Sequence, residues 1–369
     1  MKNWIFLFFS ICSISLAAQS IPQNYGFTAE AFGGYFFKHS SEIKFPAKGI
    51  SSGMTLFYNY DTYGKEAWSQ WRNYPTVGIG VGFLDIDQSD IYGTAFHISP
   101  FINTYSKWRG NSRGYFRVTS GLAYLTKRYD EIDNPDNTAI GSNWNVHFSL
   151  LWGWQWRIQP NLDFNIGAGV VHFSNGGTTA GNLGINVLSL QTGIKYIPKA
   201  IDRKDYISNN DKRDLDRKFS ADIETSFSLV QHDAGSGGSY FPIYIHSLNI
   251  GWDWNKVHRW MAGFEYEKNL KVLNFLNHIH KFEPDERDWQ ASRVQFFLGD
   301  ELRYNRISGY LKMGISLTNH YKEEFLIYNK IGLRWYMIES KYFNLYGHIV
   351  MKSQLAEAEY LAFGLGVRF

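Results

Sequence analysis

Beyond residue 25 the chain contains no apolar run long enough for a membrane helix, yet apolar side chains recur at alternate positions in segments of roughly ten residues. Hydrophobic residues make up 44% of the 369 positions while the mean hydropathy is −0.31, so the apolar residues are dispersed among polar ones. Alternation puts successive side chains on opposite faces of a strand, one face suited to an apolar medium and the other to a polar one. The pattern predicts strands over 26–38, 50–60, 76–86, 91–105, 113–126, 144–158, 161–174 and 184–197. Aromatic residues reach 18%, with 34 glycines and only 9 prolines. Aromatic girdles at two membrane interfaces, with glycine where strands bend, account for that composition.

The exception is Trp4 to Ala18, a continuous apolar run after Lys2 that ends in the small residues Ser15, Ala17 and Ala18. It is short for a membrane span and reads as a secretory signal peptide over 1–18, cleaved before Gln19. Cys12 is the only cysteine, and the bulky Ile11 before it argues against a lipoprotein. Disulfides, a thiol nucleophile and thiolate metal ligation are thereby excluded from the mature chain. A net charge of +3 gives no support for nucleic acid as a partner. A secreted chain made of strands enters a membrane only as a closed barrel, because hydrocarbon offers no partner to an open backbone edge. The last ten residues, Tyr360 to Phe369, alternate and end in an aromatic residue, like the final strand of bacterial outer-membrane proteins.

Residues 199–216 are charged, poor in hydrophobics and unpatterned, which marks a linker. A second set of strands is expected over 218–231, 241–254, 257–267, 290–301, 303–317, 325–337, 342–353 and 357–369. The sets look related: Lys218–Thr225 is similar to the segment opening at Gly26, and Asn344–Ser353 parallels Asp163–Ser174. The expected fold is therefore all-β and antiparallel, an outer-membrane barrel of eight strands over 19–198 followed by a degenerate repeat over 217–369. Two tandem barrels are favoured by the charged linker, with a single sixteen-stranded barrel as the alternative. An even strand count with both ends in the periplasm makes the turn 157–161 periplasmic and turns 127–143 and 175–183 outward.

The chemistry concentrates in 171–186. His172 and Ser174 are two apart on a strand and share its face with Val170, Ala168, Ile166 and Phe164, while Asp163 and Asn165 take the other face. Asn186 on the next strand is in phase with Leu188, Leu190 and Ile194. If the polar faces line the barrel, all three polar side chains project toward lipid, where they are costly unless they serve one another or a ligand. A single such residue reads as an ordinary polar girdle position; three in phase suggest a site. Imidazole suits the activation of a serine hydroxyl, and the Asn186 carbonyl is able to orient the ring without supplying negative charge. Asn175 and the N–H groups of Gly176 and Gly177 are candidates for an oxyanion hole.

The pattern H-x-S-N-G at 172–176, followed by N-x-G-x-N at 182–186, resembles the active-site segment of the PagL-type lipid A 3-O-deacylases, or acyloxyacyl hydrolases. The resemblance implies an eight-stranded outer-membrane barrel that hydrolyses an ester-linked acyl chain of lipid A without a metal or other cofactor. It assigns His172 as base, Ser174 as nucleophile and Asn175 as oxyanion side chain. Two positions depart from the family: Gly181 stands in place of a proline, and Asn186 in place of a glutamate. It also implies lipopolysaccharide as substrate and outer-membrane lipid as surroundings; a homodimer stays open. In the second set Met351 falls at the place of His172 and Lys352 at that of Phe173, so Ser353 has no base and the repeat is expected to be structural or binding.

Rival readings are a non-catalytic barrel, whether adhesin, lipid-binding protein or small pore, and an outer-membrane phospholipase. Elsewhere, His278 and His280 offer an i, i+2 strand pair for a metal, with Glu283 and Asp285 nearby. The acidic loop Tyr129–Asp136 suggests calcium, although a solvated loop fits better. The glycines of 232–238 do not link a strand to a helix, so no phosphate loop follows.

Overall fold

The computed structural model describes residues 22–38, 43, 48–179, 183–208, 219–231, 238–255, 257–318, 321, 326–354 and 357–369. The expected signal peptide, Gly181, most of the linker's charged core and most of the 232–238 glycine loop lie outside the described residues.

The first half forms one closed antiparallel barrel of eight strands: β1 (Tyr25–Phe36), β2 (Ile50–Asp61), β3 (Thr76–Asp85), β4 (Thr94–Tyr105), β5 (Ser112–Leu125), β6 (Trp144–Gln159), β7 (Leu162–Ser174) and β8 (Ile185–Tyr196). Closure comes from β1 against β8, with Phe27 opposite Tyr196 and Phe36 opposite Val187. The second half forms its own closed barrel: β9 (Phe219–Gln231), β10 (Tyr240–Asp253), β11 (His258–Asn269), β12 (Ser292–Tyr304), β13 (Ile307–Ser316), β14 (Ile327–Glu339), β15 (Asn344–Gln354) and β16 (Glu357–Arg368). Two barrels of eight, not one of sixteen, is the outcome.

Alternation decides what faces where. Along β6 the odd positions Asn145, His147, Ser149 and Gln155 are buried inside, while Trp144, Trp152 (68% exposed) and Trp154 stand outside. On β8, Ser189 and Lys195 point in and Leu188 and Leu190 (60% exposed) point out. So broad an apolar exterior is unstable in water and stable in lipid. The interiors are polar and neutralise themselves. In the first barrel Arg117 donates both guanidinium ends to Glu30 at 2.5 and 2.8 Å. The Lys195 ammonium there sits 2.5 Å from the Asp61 carboxylate.

The second interior is denser in charge. Arg334 bridges Glu224 and Glu301. Lys352 meets Glu267 at 2.9 Å, and Arg368 meets Glu301 at 2.6 Å. Tyr336, Tyr346 and Tyr360 donate their hydroxyls to Glu301, Glu224 and Glu267. Such pairs hold only if each charge keeps its partner, since an orphaned buried charge is worth several kcal/mol of instability.

The strand pattern did not foresee the four short α-helices among the described residues, α1 (Ala67–Trp71), α2 (Ser89–Tyr92), α3 (Leu270–His278) and α4 (Pro284–Gln290), nor the 3-10 turn at Arg203–Asp205. In α3 the Asn269 side chain accepts from the N–H groups of Lys271 and Val272, capping the helix start. This corrects the reading of His278 and His280 as a strand pair. His278 ends a helix and His280 sits in a turn at φ 49°, so the two do not share a strand face. Among the described residues no cluster of three metal-ligating side chains occurs. In the acidic loop the Asp130 carboxylate accepts from the N–H groups of Ile132 and Asp133, at 2.9 and 3.0 Å, and closes its own turn.

The chain divides into two compact units, and the division does not fall at the linker alone. The unit built on β9–β16 also takes in Arg128–Ser142 and Ser174–Gly184.

Candidate active site

The β7–β8 hairpin sets His172 directly opposite Asn186. Cross-strand partners have Cβ atoms close enough for side chains to meet, and here His172 Nδ1 lies 2.7 Å from Asn186 Oδ1. With the amide oxygen as acceptor, Nδ1 carries the proton and Nε2 keeps its lone pair, the form a general base requires. Both residues are half-buried on the outer wall, in phase with the exposed Val170 and Leu188. The backbone of Asn186 is pinned from the other side, where its carbonyl accepts from Phe37 N–H at 2.7 Å.

Behind the pair, inward-facing rings pack on one another in a way the sequence pattern did not reveal. Phe173, pointing inward, stacks on His147 with ring centroids 5.2 Å apart. His147 in turn lies 4.2 Å from the His97 ring and meets Ser99 Oγ at 2.7 Å through Nδ1. Only the inward phase of Phe173 was legible beforehand; that β6 supplies its stacking partner, and β4 the contacts of that partner, was not.

Ser174 is the last residue of β7, and alternation puts its side chain on the side of the strand that carries His172. It is 3% exposed. The turn that follows is built for glycine: Gly176 and Gly177 both adopt left-handed backbone, at φ 67° and 78°. The Gly176 N–H points at Ser174 Oγ, at 3.4 Å. Asn175 organises the turn, its Oδ1 accepting from Gly177 N–H at 3.1 Å and its Nδ2 donating to the Thr179 carbonyl at 3.2 Å. Of the three oxyanion candidates, therefore, the Gly176 N–H lies beside the serine oxygen. The Gly177 N–H is engaged with Asn175 Oδ1 and the Asn175 Nδ2 with the Thr179 carbonyl, and stabilising an oxyanion requires each donor to give up its bond.

Two family models match, that of the lipid A 3-O-deacylase (PagL) over residues 52–195 and that of the acyloxyacyl hydrolase C-terminal domain over 219–369. The chain belongs to the PagL-type lipid A deacylase family. Each model falls on one barrel. The family assignment and the lipid-facing exterior make the protein an outer-membrane β-barrel of a family of hydrolases acting on the acyl esters of lipid A. Among solved structures, the outer membrane enzyme PagL is 16% identical, with a TM-score of 0.35, covering 45% of this chain and 97% of its own. Neisserial surface protein A is 14% identical, with a TM-score of 0.32, covering 47% of this chain and 97% of its own. No curated protein matches.

Proposed function

We propose that this PagL-type barrel removes an ester-linked acyl chain from lipid A, with Ser174 as nucleophile, His172 as general base and Asn186 as the group that orients the imidazole. The observation that carries the reading is the 2.7 Å contact between His172 Nδ1 and Asn186 Oδ1 on the outer wall, on the same strand face as Ser174. Membrane-facing polar groups are costly, and a shared task explains three of them in phase.

In this mechanism His172 Nε2 takes the proton as Ser174 Oγ attacks the ester carbonyl. The negative charge on the carbonyl oxygen is met by the Gly176 N–H, joined by the Gly177 N–H when it leaves Asn175 Oδ1 or by Asn175 Nδ2 when it leaves the Thr179 carbonyl. Collapse expels the sugar hydroxyl, protonated by the imidazolium, and leaves an acyl-serine. Water, deprotonated by His172, releases the fatty acid and restores the serine. Asn186 fixes the tautomer but supplies no charge to the imidazolium, so turnover is slower than with a carboxylate at that position.

The test is mass spectrometry of lipid A from cells expressing the wild-type protein or Ser174→Ala. Wild type yields lipid A lighter by one acyl chain; the variant inserts equally well and leaves the lipid intact. Unaltered lipid A in wild-type cells, or continued acyl release by Ser174→Ala, overturns the reading. Release of fatty acid from glycerophospholipid alone would redirect it to a phospholipase.

A further inference from the structure

The seam that closes the second barrel is shorter than the strands that form it. Pairing between β16 and β9 runs from Arg368 opposite Asp222 to Phe363 opposite Phe227 and stops there. Yet β9 continues to Gln231 and β16 begins at Glu357. Past the end of the ladder, β9 stays on β10, with Gln231 opposite Tyr240. Meanwhile β16 stays on β15 through a bulge: Lys352 faces Tyr360, Ser353 faces Ala358, and Glu359 is the extra residue. A seam that opens before its strands end leaves backbone groups in need of other partners.

The turn after Ser174 supplies them. Gln231 N–H donates to the Thr178 carbonyl at 3.0 Å. A Cβ on Gly176 would come within 2.9 Å of the Leu361 Cβ, and one on Gly177 within 2.7 Å of the Glu359 carbonyl oxygen. The turn thus lies flat on the bulged end of β16, and both glycines are required by the closeness as well as by their φ. Ser228 Oγ holds that end from within by donating to the Leu361 carbonyl at 2.7 Å. All of these groups belong to the unit built on the second barrel, which includes Ser174–Gly184.

We propose that this open seam is a cradle for the nucleophile: the C-terminal barrel fixes the turn that carries Ser174 and Asn175, with the backbone N–H at position 231, Leu361 and the Glu359 bulge as the positioning groups. The proposal rests on the catalytic reading of Ser174. A turn with two left-handed glycines is flexible by itself, and a nucleophile displaced by about 1 Å can lose on the order of a hundredfold in rate. Docking against a closed barrel removes that freedom. It also gives the second barrel a task that needs its rim and not a catalytic site of its own.

Two variants at one position separate the backbone contact from the side chain. Gln231→Pro removes the N–H that reaches Thr178, at a strand end where proline is tolerated. Gln231→Ala loses the same side chain but keeps the N–H. In the full-length protein, assayed on lipid A in detergent micelles, Gln231→Pro lowers kcat roughly tenfold to a hundredfold with KM within about twofold, and Gln231→Ala keeps both near wild type. Equal kcat for the two variants overturns the proposal. A second probe does not depend on activity or on proline folding. Cys12 is the only cysteine, so Thr178→Cys with Gln231→Cys introduces a lone pair in the body of the protein. The pair forms a disulfide under mild oxidation, and the cross-linked protein keeps its kcat. A pair that stays reduced, or a cross-linked enzyme that has lost turnover, overturns the proposal. Wild-type acyl release by Ser174→Ala would instead sink the catalytic reading, while the cross-link continues to report on the cradle.

Discussion

The strands β7 and β15 hold the same place, seventh in their barrels, and each carries a serine near its outer end. On β7 the residue two before the serine is His172, on the outer wall and bonded to Asn186. On β15 it is Met351, and Ser353 donates to Asn329 at 2.5 Å instead. Between them, Phe173 and Lys352 both point inward and are fully buried, but Phe173 stacks on His147 whereas Lys352 joins Glu267 and Glu359. The second barrel has its own serine, histidine and glutamate in sequence: Ser226 Oγ meets His348 Nε2 at 2.8 Å, and His348 Nδ1 lies 3.9 Å from Glu224. That trio faces the interior, where Arg334 and Lys312 already occupy Glu224. Residue types alone do not make a lipid-facing site; the wall they project from does. One barrel turns His172 and Asn186 toward hydrocarbon, and the other uses the same kinds of side chain to fill itself.

Five substitutions break or sharpen that contrast. His172→Met, which copies the second barrel onto the first, lowers kcat by about a thousandfold in a lipid A acyl-release assay while the barrel still inserts. His348→Met, the matching change inside the second barrel, leaves kcat at wild type. Glu267→Ala leaves Lys352 and Arg293 to share the one carboxylate of Glu359 in the second interior, and urea unfolding shows a loss of about 3 kcal/mol. Asn186→Glu gives the imidazolium a counter-charge and raises kcat roughly tenfold, with little change in KM. Ser353→Ala, at the smallest end, leaves acyl release unchanged and costs about 1 kcal/mol through the lost bond to Asn329.

The strands were legible because alternation has one physical meaning. The sequence placed β2 at 50–60 and β6 at 144–158, against Ile50–Asp61 and Trp144–Gln159 in the structure. That His172 and Asn186 share one face of neighbouring strands followed from phase; that they stand directly opposite each other did not. The α3 helix was not legible: it spans nine residues, and its start is set by a side-chain cap, not by a long apolar period. The contacts of Gly176 and Gly177 with β16 were out of reach for another reason. They join positions more than 180 residues apart, and no local pattern encodes that separation. The glycines showed only that something comes close there, not what.

The outward direction of His172 and Asn186 has a kinetic consequence. On the proposed function, groups on the outer wall of a barrel meet their ester by lateral diffusion in the leaflet, so collision frequency follows the mole fraction of substrate in the plane and not its amount per volume. Inert amphiphile added to the assay thins that two-dimensional pool and slows turnover at constant total substrate, a surface-dilution behaviour that an enzyme fed from the aqueous phase does not share.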